Sequence, residues 1–268
     1  EDSALNFQFA SDVFSDVDAG DSLTYTATLA DGNTLPSWLS FDAASRTFSG
    51  TPLNGDVGAI DVKVTATDGS RATATDTFTL TVTNTNDAPT VANAISDQTI
   101  AEDSALNFQF ASDVFRDVDA GDSLTYTATL SDGNTLPSWL SFDAASRTFS
   151  GTPLNGDVGA IDITVMATDG SSATATDTFT LTVTNTNDAP TVTSSETMSV
   201  DEDVAYSYTF VASDVDAGDT PTLAAPTKPS WLSFNTATGI LSGTPSNDDV
   251  STHAVVLTAT DASGALDT

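Results

Sequence analysis

The chain has 268 residues and carries 38 Asp and Glu against 6 Lys and Arg, a formal net charge of −32, with no cysteine and one histidine. Six scattered cations cannot neutralise a run of phosphates or hold a protein on an anionic lipid surface, so nucleic-acid and membrane-surface partners are excluded. Without thiols there is no disulfide, thiolate metal site or Cys nucleophile; His253 alone builds no His-rich zinc site, and no apolar run approaches the roughly 18 residues of a spanning helix.

Self-comparison sets the organisation. Residues 1–91 recur at 102–192 with six mismatches, Ser15/Arg116, Ala30/Ser131, Val62/Ile163, Lys63/Thr164, Thr65/Met166 and Arg71/Ser172. A third, drifted copy keeps Asp214-Val-Asp-Ala-Gly-Asp219, Pro229-Ser-Trp-Leu-Ser-Phe234, Ser242-Gly-Thr-Pro245 and Thr258-Ala-Thr-Asp261. Asn86-Asp-Ala-Pro89 and Asn187-Asp-Ala-Pro190 mark the linkers, because proline after a polar turn ends one element and opens the next in an extended state. The expected modules are 1–88, lacking its first strand, 89–189, complete, and 190–268, lacking its last strand. The chain begins at Glu1 rather than Met and both ends cut through modules, so it reads as a piece of a longer protein with covalent neighbour repeats.

The complete second copy is read in chain order. An edge strand is expected near Gln98–Ala101. Leu106-Asn-Phe108-Gln-Phe110 alternates, placing three large apolar groups on one face. After a turn at Ala120-Gly-Asp122, Leu124–Leu130 alternates with Thr on its solvated side, as a β-branched residue suits. A turn at Asp132-Gly-Asn134 precedes short strands at Trp139–Phe142 and Thr148–Ser150. Ile161–Ala167 is the next long strand; a turn at Asp169-Gly-Ser171 leads to Phe179–Val183. Hydrophobic residues make up 39% of the chain, with 14 Phe and 3 Trp in these patterned runs, so the acidity is not that of a disordered chain. Seven short strands per roughly 100 residues predict an all-β, immunoglobulin-like sandwich in each module. Trp38, Trp139 and Trp231 occupy one equivalent position per module, and each is expected to anchor a core. A ligand-stacking platform is the alternative.

Three acidic motifs recur at fixed phase. These are the Glu-Asp pairs Glu1-Asp2, Glu102-Asp103 and Glu202-Asp203; the Asp-Val-Asp-Ala-Gly-Asp runs that start at Asp16, Asp117 and Asp214; and Asp68, Asp169 and Asp261 at a strand end. In a sandwich such loop residues gather at the module poles, where like charges repel unless a cation intervenes. Ca²⁺, a hard ion taking six to eight oxygens in irregular sets, suits that chemistry. The alternative is that the acids only solubilise the surface. An EF-hand from Asp117 fails, with Asp122 at its sixth position and Ala128 at its twelfth.

The combination Trp-Leu-Ser-Phe-Asp, Ser-Gly-Thr-Pro and Ala-Thr-Asp-Gly resembles tandem cadherin-like domains of the dystroglycan type, found in large bacterial surface and secreted proteins. The resemblance covers essentially the whole chain. It implies immunoglobulin/cadherin-like sandwiches in an extended array, with Ca²⁺ between successive modules. Carried onto these positions, it assigns the first junction to Glu1, Asp56, Asn86 and Asp87 with Asp117, Asp119 and Asp169. The second junction falls to Glu102, Asp157, Asn187 and Asp188 with Asp214, Asp216 and Asp261. Where cadherins carry Leu-Asp-Arg-Glu, this chain reads Leu53-Asn-Gly-Asp56 and Leu154-Asn-Gly-Asp157, and Asn84 and Asn185 replace the first linker Asp.

The function implied is a calcium-rigidified spacer or adhesion segment, extracellular or on the cell surface, with like modules or surface polysaccharide as partners. A carbohydrate-binding accessory module of a secreted polysaccharide-degrading enzyme is the alternative, with Tyr25/Tyr126 and Tyr206/Tyr208 as candidate aromatics. No enzyme is expected, because an active site should add unique residues whereas the acids here are the repeated part, and His253 reads as a surface strand position.

Overall fold

A computed structural model describes residues 1–18, 20–196 and 199–268; Ala19 of the first Asp-Val-Asp-Ala-Gly-Asp run lies outside them. Every regular element among the described residues is a β-strand or a three-residue 3₁₀ turn, and none is a helix long and apolar enough to cross a membrane, which says nothing of strands. The residues gather into two compact units. One comprises 1–94, 112–126 and 166–177, the other 95–111, 127–165 and 178–268.

In the first unit, Thr24–Leu29, Gly58–Thr67 and Thr73–Val82 form one antiparallel sheet, and Leu5–Gln8, Thr47–Gly50 and Leu39–Asp42 a second. Their apolar faces meet in a core of Phe9, Leu39, Phe48, Val62 and Val64. Gly58–Thr67 shows why: Val62, Val64 and Ala66 are buried, while Asp61, Lys63 and Thr65 between them are not. Aromatic edges lock the two sheets, with Phe48 and Phe78 at 5.5 Å and Phe9 and Tyr25 at 5.5 Å between centroids.

The second unit repeats the plan with Leu140–Asp143, Thr148–Gly151 and Leu106–Gln109 in one sheet. The facing sheet gains a strand, Gln98–Ala101, which pairs in parallel with Leu181–Thr184. That strand explains a difference between near-identical copies. Phe179 and Leu181 are buried to 2% and 1% exposure, whereas their equivalents Phe78 and Leu80 remain half-buried. The third copy keeps Tyr206–Thr209, Ile240–Gly243 and Leu232–Asn235 in one sheet and Thr222–Thr227, Val256–Thr260 and Leu266–Asp267 in the other. The all-β, tandem immunoglobulin/cadherin-like reading therefore holds, and each long strand lies where alternation places it.

The expected core role of the tryptophans is seen for Trp38, which packs against the first core, although none of the three is fully buried. Trp38, Trp139 and Trp231 are half-buried, and the residue after each, Leu39, Leu140 or Leu232, is the buried one. Each Trp sits in a turn closed by the following amide, as where Leu39 N–H donates to the Pro36 carbonyl at 3.0 Å, so the strand begins one residue later. The Trp backbone also lies against the glycine of Ser-Gly-Thr-Pro: a Cβ on Gly50 or Gly151 would stand 1.8 Å from the carbonyl oxygen of Trp38 or Trp139.

Candidate metal centres in the two units

Each unit contains one junction between successive copies, and the same local device builds both. Asp103, in the left-handed region at φ 59°, donates its amide to the Pro153 carbonyl at 2.8 Å, and the Glu102 amide donates to Thr184 at 3.0 Å. Aspartate tolerates that conformation better than most residues. The turn drives the Glu102 side chain inward to 1% exposure, where Oε1 accepts the Thr186 amide at 2.8 Å. Its Oε2 is buried with no hydrogen-bond partner. In the first unit, Asp2 at φ 59° donates to Pro52, and Glu1 is 6% exposed with Oε1 on the Thr85 amide at 2.7 Å and Oε2 unpartnered.

The linker completes each group. Carboxylate oxygens of Glu1, Asp2 and Asp87 lie within 4.8 Å of one another, as do those of Glu102, Asp103 and Asp188. The Asp-Val-Asp run of the following copy supplies a second group, Asp117, Asp119 and Asp122 in the first unit; in the other, Asp214 and Asp219 group with Asp261. Asp119 and Asp216 are each 7% exposed. Asp119 accepts the Asn54 side-chain amide at 2.7 Å and the Asp87 backbone amide at 2.8 Å; Asp216 accepts the equivalent Asn155 and Asp188 at 2.9 Å each. Asp117 and Asp214 each cap the amide two residues on at 2.9 Å, leaving a buried, unpartnered Oδ2. Asn86 donates to Asp169 at 2.9 Å, and Asn187 to Asp261 at 2.7 Å.

Electrostatics follow the hydrogen bonds. The Asn86 amide, then the backbone amides around Ala173, hold Asp169 below the ordinary carboxylate range, and Asn187 does the same for Asp261. Asp188 moves the other way: desolvation pushes it up, and the neighbouring Asp103, Asp216 and Asp214 push it further. Neutral amides thus partly offset a concentration of negative charge that no Lys or Arg reaches within hydrogen-bonding distance among the described residues. Buried carboxylate oxygens without partners are costly unless a cation joins them.

The sequence-predicted residues are largely brought together: Glu1, Asn86, Asp87, Asp117, Asp119 and Asp169 in the first unit, and Glu102, Asn187, Asp188, Asp214, Asp216 and Asp261 in the second. Asp56 and Asp157 face their own turns, each Oδ2 accepting the amide of Leu53 or Leu154 at 2.9 Å. From the same turns it is Asn54 and Asn155 that reach the neighbouring copy. Asp2, Asp103, Asp122 and Asp219 also join the groups; repetition of the Glu-Asp pair and of the third Asp in all three copies was the available signal. A further group, Asp16, Asp21 and Asp68, lies on the first copy. His253 Nε2 pairs with the backbone carbonyl of Asp249 at 2.7 Å and with Ser251 Oγ at 3.3 Å.

Known proteins share this architecture. The described chain resembles human cadherin-23 repeats EC21–23 with a TM-score of 0.58 and 18% identity over 91% of this chain and 87% of that one. Mouse cadherin-23 EC22–24 gives 0.56 and 20%, covering 91% and 81%. Over 137 residues the chain is 33% identical to a "Serine-rich adhesin for platelets" of Staphylococcus aureus strain MRSA252, a match that spans 51% of this chain and only 9% of the adhesin. A family model described as "Putative Ig domain" matches residues 1–83, 88–184 and 189–268. With three consecutive matches across nearly its whole length, the chain belongs to the Putative Ig domain family.

Proposed function

We propose that the chain is a calcium-binding array of three dystroglycan-type cadherin-like modules, 1–88, 89–189 and 190–268. It would act as a rigid spacer and adhesion segment of a large bacterial surface or secreted protein. The observation that carries this reading is Glu102, whose carboxylate is almost wholly buried beside Asp103 and Asp188 with one oxygen unsatisfied. A buried anion among anions is a poor structural element and a good ligand. The set is all oxygen, multidentate and irregular, which fits Ca²⁺ better than Mg²⁺ with its demand for octahedral geometry.

In the first junction the ion would be held by Glu1, Asp2, Asp87, Asp117, Asp119, Asp122 and Asp169; in the second by Glu102, Asp103, Asp188, Asp214, Asp216, Asp219 and Asp261. Asn54, Asn86, Asn155 and Asn187 would turn their carbonyl oxygens inward in place of their N–H groups. Two linkers then stiffen as the repulsion across them is cancelled. The role is binding and spacing rather than catalysis, with like modules as the first partner to test. Extracellular calcium modules work at about 10⁻⁴–10⁻³ M, and likeness to a staphylococcal adhesin segment supports a surface setting. Calorimetric titration of the chain with Ca²⁺ should show sites that count with the two linkers, and small-angle scattering should give a longer, narrower distance distribution in Ca²⁺ than in chelator. Absence of binding heat at millimolar Ca²⁺, or identical scattering in both, would sink the reading.

A polysaccharide partner has one observation in its favour. Tyr206, Trp231 and His253 line a groove of about 720 Å³ in the third copy, and the Trp231 indole N–H is buried without a hydrogen-bond partner. Retardation in a polysaccharide affinity gel, lost on Trp231→Ala, is the outcome that reading requires.

A further inference from the structure

Both Leu-Asn-Gly-Asp segments place the side chain of the asparagine of an Asn-Gly pair against the carboxylates of a junction. Asn54–Asp56 and Asn155–Asp157 are 3₁₀ turns of three residues, closed by the Asp56 and Asp157 amides on the carbonyls of Leu53 and Leu154 at 2.8 Å. The Gly55 and Gly156 amides belong to the first positions of these turns, which have no acceptor inside them. Both glycines are unobstructed: a Cβ at either would meet nothing within 4 Å. Neither glycine carries a side chain of its own to obstruct the amide nitrogen that follows each asparagine. The Asn54 amide points at Asp119 Oδ1, 2.7 Å away, and at Asp87 Oδ2, 3.4 Å away; Asn155 points at Asp216 at 2.9 Å.

We infer that Asn54 and Asn155 are sites of spontaneous deamidation, and that their conversion to aspartate adds one carboxylate to each junction and tightens its hold on a divalent cation. The chemistry needs only water. The Gly55 nitrogen, losing its proton to hydroxide, attacks the side-chain carbonyl carbon of Asn54 and forms a new C–N bond. The bond from that carbon to the side-chain amide nitrogen breaks, and the nitrogen leaves as ammonia after taking a proton from solvent, leaving a five-membered imide. Water then adds to one imide carbonyl and opens the ring, giving aspartate or, by the other carbonyl, isoaspartate. The net change is Asn plus water to Asp plus ammonia, with no oxidant or reductant. The isoaspartyl product carries an extra methylene in the main chain, which the three-residue turn and its Leu53–Asp56 bonds do not accommodate; the aspartyl product leaves the turn unchanged.

The consequence for the junction has a definite sign. Asn54 donates an N–H to Asp119, whereas an aspartate there presents a third carboxylate to Asp119 and Asp87. Without a cation this repels; with one it contributes a charged oxygen, and charge count is a main determinant of Ca²⁺ affinity. Deamidation thereby makes the folded junction more dependent on its ion as the protein ages. This second half rests on the calcium reading above; the modification itself does not. The chain carries internal controls: Asn247 is followed by Asp248, and Asn86 and Asn187 by Asp87 and Asp188, whose side chains obstruct the same attack.

The test is peptide mapping by mass spectrometry of the intact folded chain, held at mildly alkaline pH in chelator and sampled over weeks. Asn54 and Asn155 should convert well ahead of Asn86, Asn187 and Asn247, and Gly55→Ala with Gly156→Ala should slow them. Conversion no faster than at those three positions overturns the inference. The double variant Asn54→Asp/Asn155→Asp is then titrated with Ca²⁺. It should bind severalfold more tightly than the unmodified chain and melt lower in chelator; equal or weaker binding overturns the functional half. Should the unmodified chain bind no Ca²⁺ while Asn54 and Asn155 still convert, the calcium reading has failed and the modification stands.

Discussion

Glu102→Gln is expected to have opposite effects in chelator and in calcium. Without the ion, glutamine keeps the Oε1 bond to the Thr186 amide and replaces the unsatisfied Oε2 by an N–H₂ that can donate to Asp103 or Asp188. Relief of a buried, unpaired acceptor is worth about 1–3 kcal/mol, more when it is charged, so the variant should melt higher than the parent in chelator. In Ca²⁺ the order reverses. A ligand present at 100 times its dissociation constant stabilises by about 2.7 kcal/mol, and removing an innermost charged ligand should weaken binding by at least about tenfold, or 1.4 kcal/mol. The two melting curves therefore cross as Ca²⁺ is raised, and calorimetry should show loss of the tightest binding at one linker with the other intact. A Gln variant that melts lower than the parent in chelator and binds Ca²⁺ equally would mean that Glu102 is a structural cap on Thr186 and nothing more.

How far these sites can be read without coordinates depends on the residue. Repeat phase alone singled out Glu102, Asp216 and Asp261, because a turn acid that survives in a diverged copy at the same distance from a strand returns to the same pole; Asp188, in a linker with no counterpart in the third copy, was reached only through the resemblance. Repeat phase was not enough to separate Asp157 from Asn155, two residues apart in one 3₁₀ turn. An acid at the third position of such a turn satisfies the turn's own first amide, here Leu154 N–H, and that local bond removes it from the neighbour's reach. The asparagine, with no local bond to make, is the side chain left pointing outward. Strand existence was likewise plain from alternation at Leu106–Phe110 and Ile161–Ala167. The parallel pairing of Gln98–Ala101 with Leu181–Thr184 was not, since alternation says which face is buried but nothing about which edge a strand finds across some eighty residues. The short pairings Thr90–Val91 with Phe115–Arg116 and Thr191–Val192 with Ala212–Ser213 carry too few residues for any period to register.

Gly151→Ala should destabilise the second module severely and weaken the second junction with it. Gly151 lies in the central strand of its sheet, paired with Leu140 on one side and Leu106 on the other, so it cannot move without disturbing both ladders. An added Cβ would fall 1.8 Å from the Trp139 carbonyl oxygen and 3.2 Å from its ring, and the first of these obstacles is backbone. The strand must shift, and overpacking against main chain of this kind costs about 3 kcal/mol or more. For a domain of roughly 100 residues that corresponds to a fall in melting temperature on the order of 10 °C. Two residues further on, Pro153 accepts the amide of Asp103, the bond that fixes the turn aiming Glu102 inward. Displacement of this segment should therefore lower Ca²⁺ affinity at the second junction even though no ligand is altered. Gly156→Ala is the matched control: a Cβ there meets nothing, and its backbone is outside the left-handed region, so melting should be unchanged or slightly raised. If Gly151→Ala melted with the control, the Ser-Gly-Thr-Pro segment would be an incidental sequence marker. If it melted low yet bound Ca²⁺ as the parent does once folded, the coupling from Gly151 through Pro153 and Asp103 to Glu102 would be refuted.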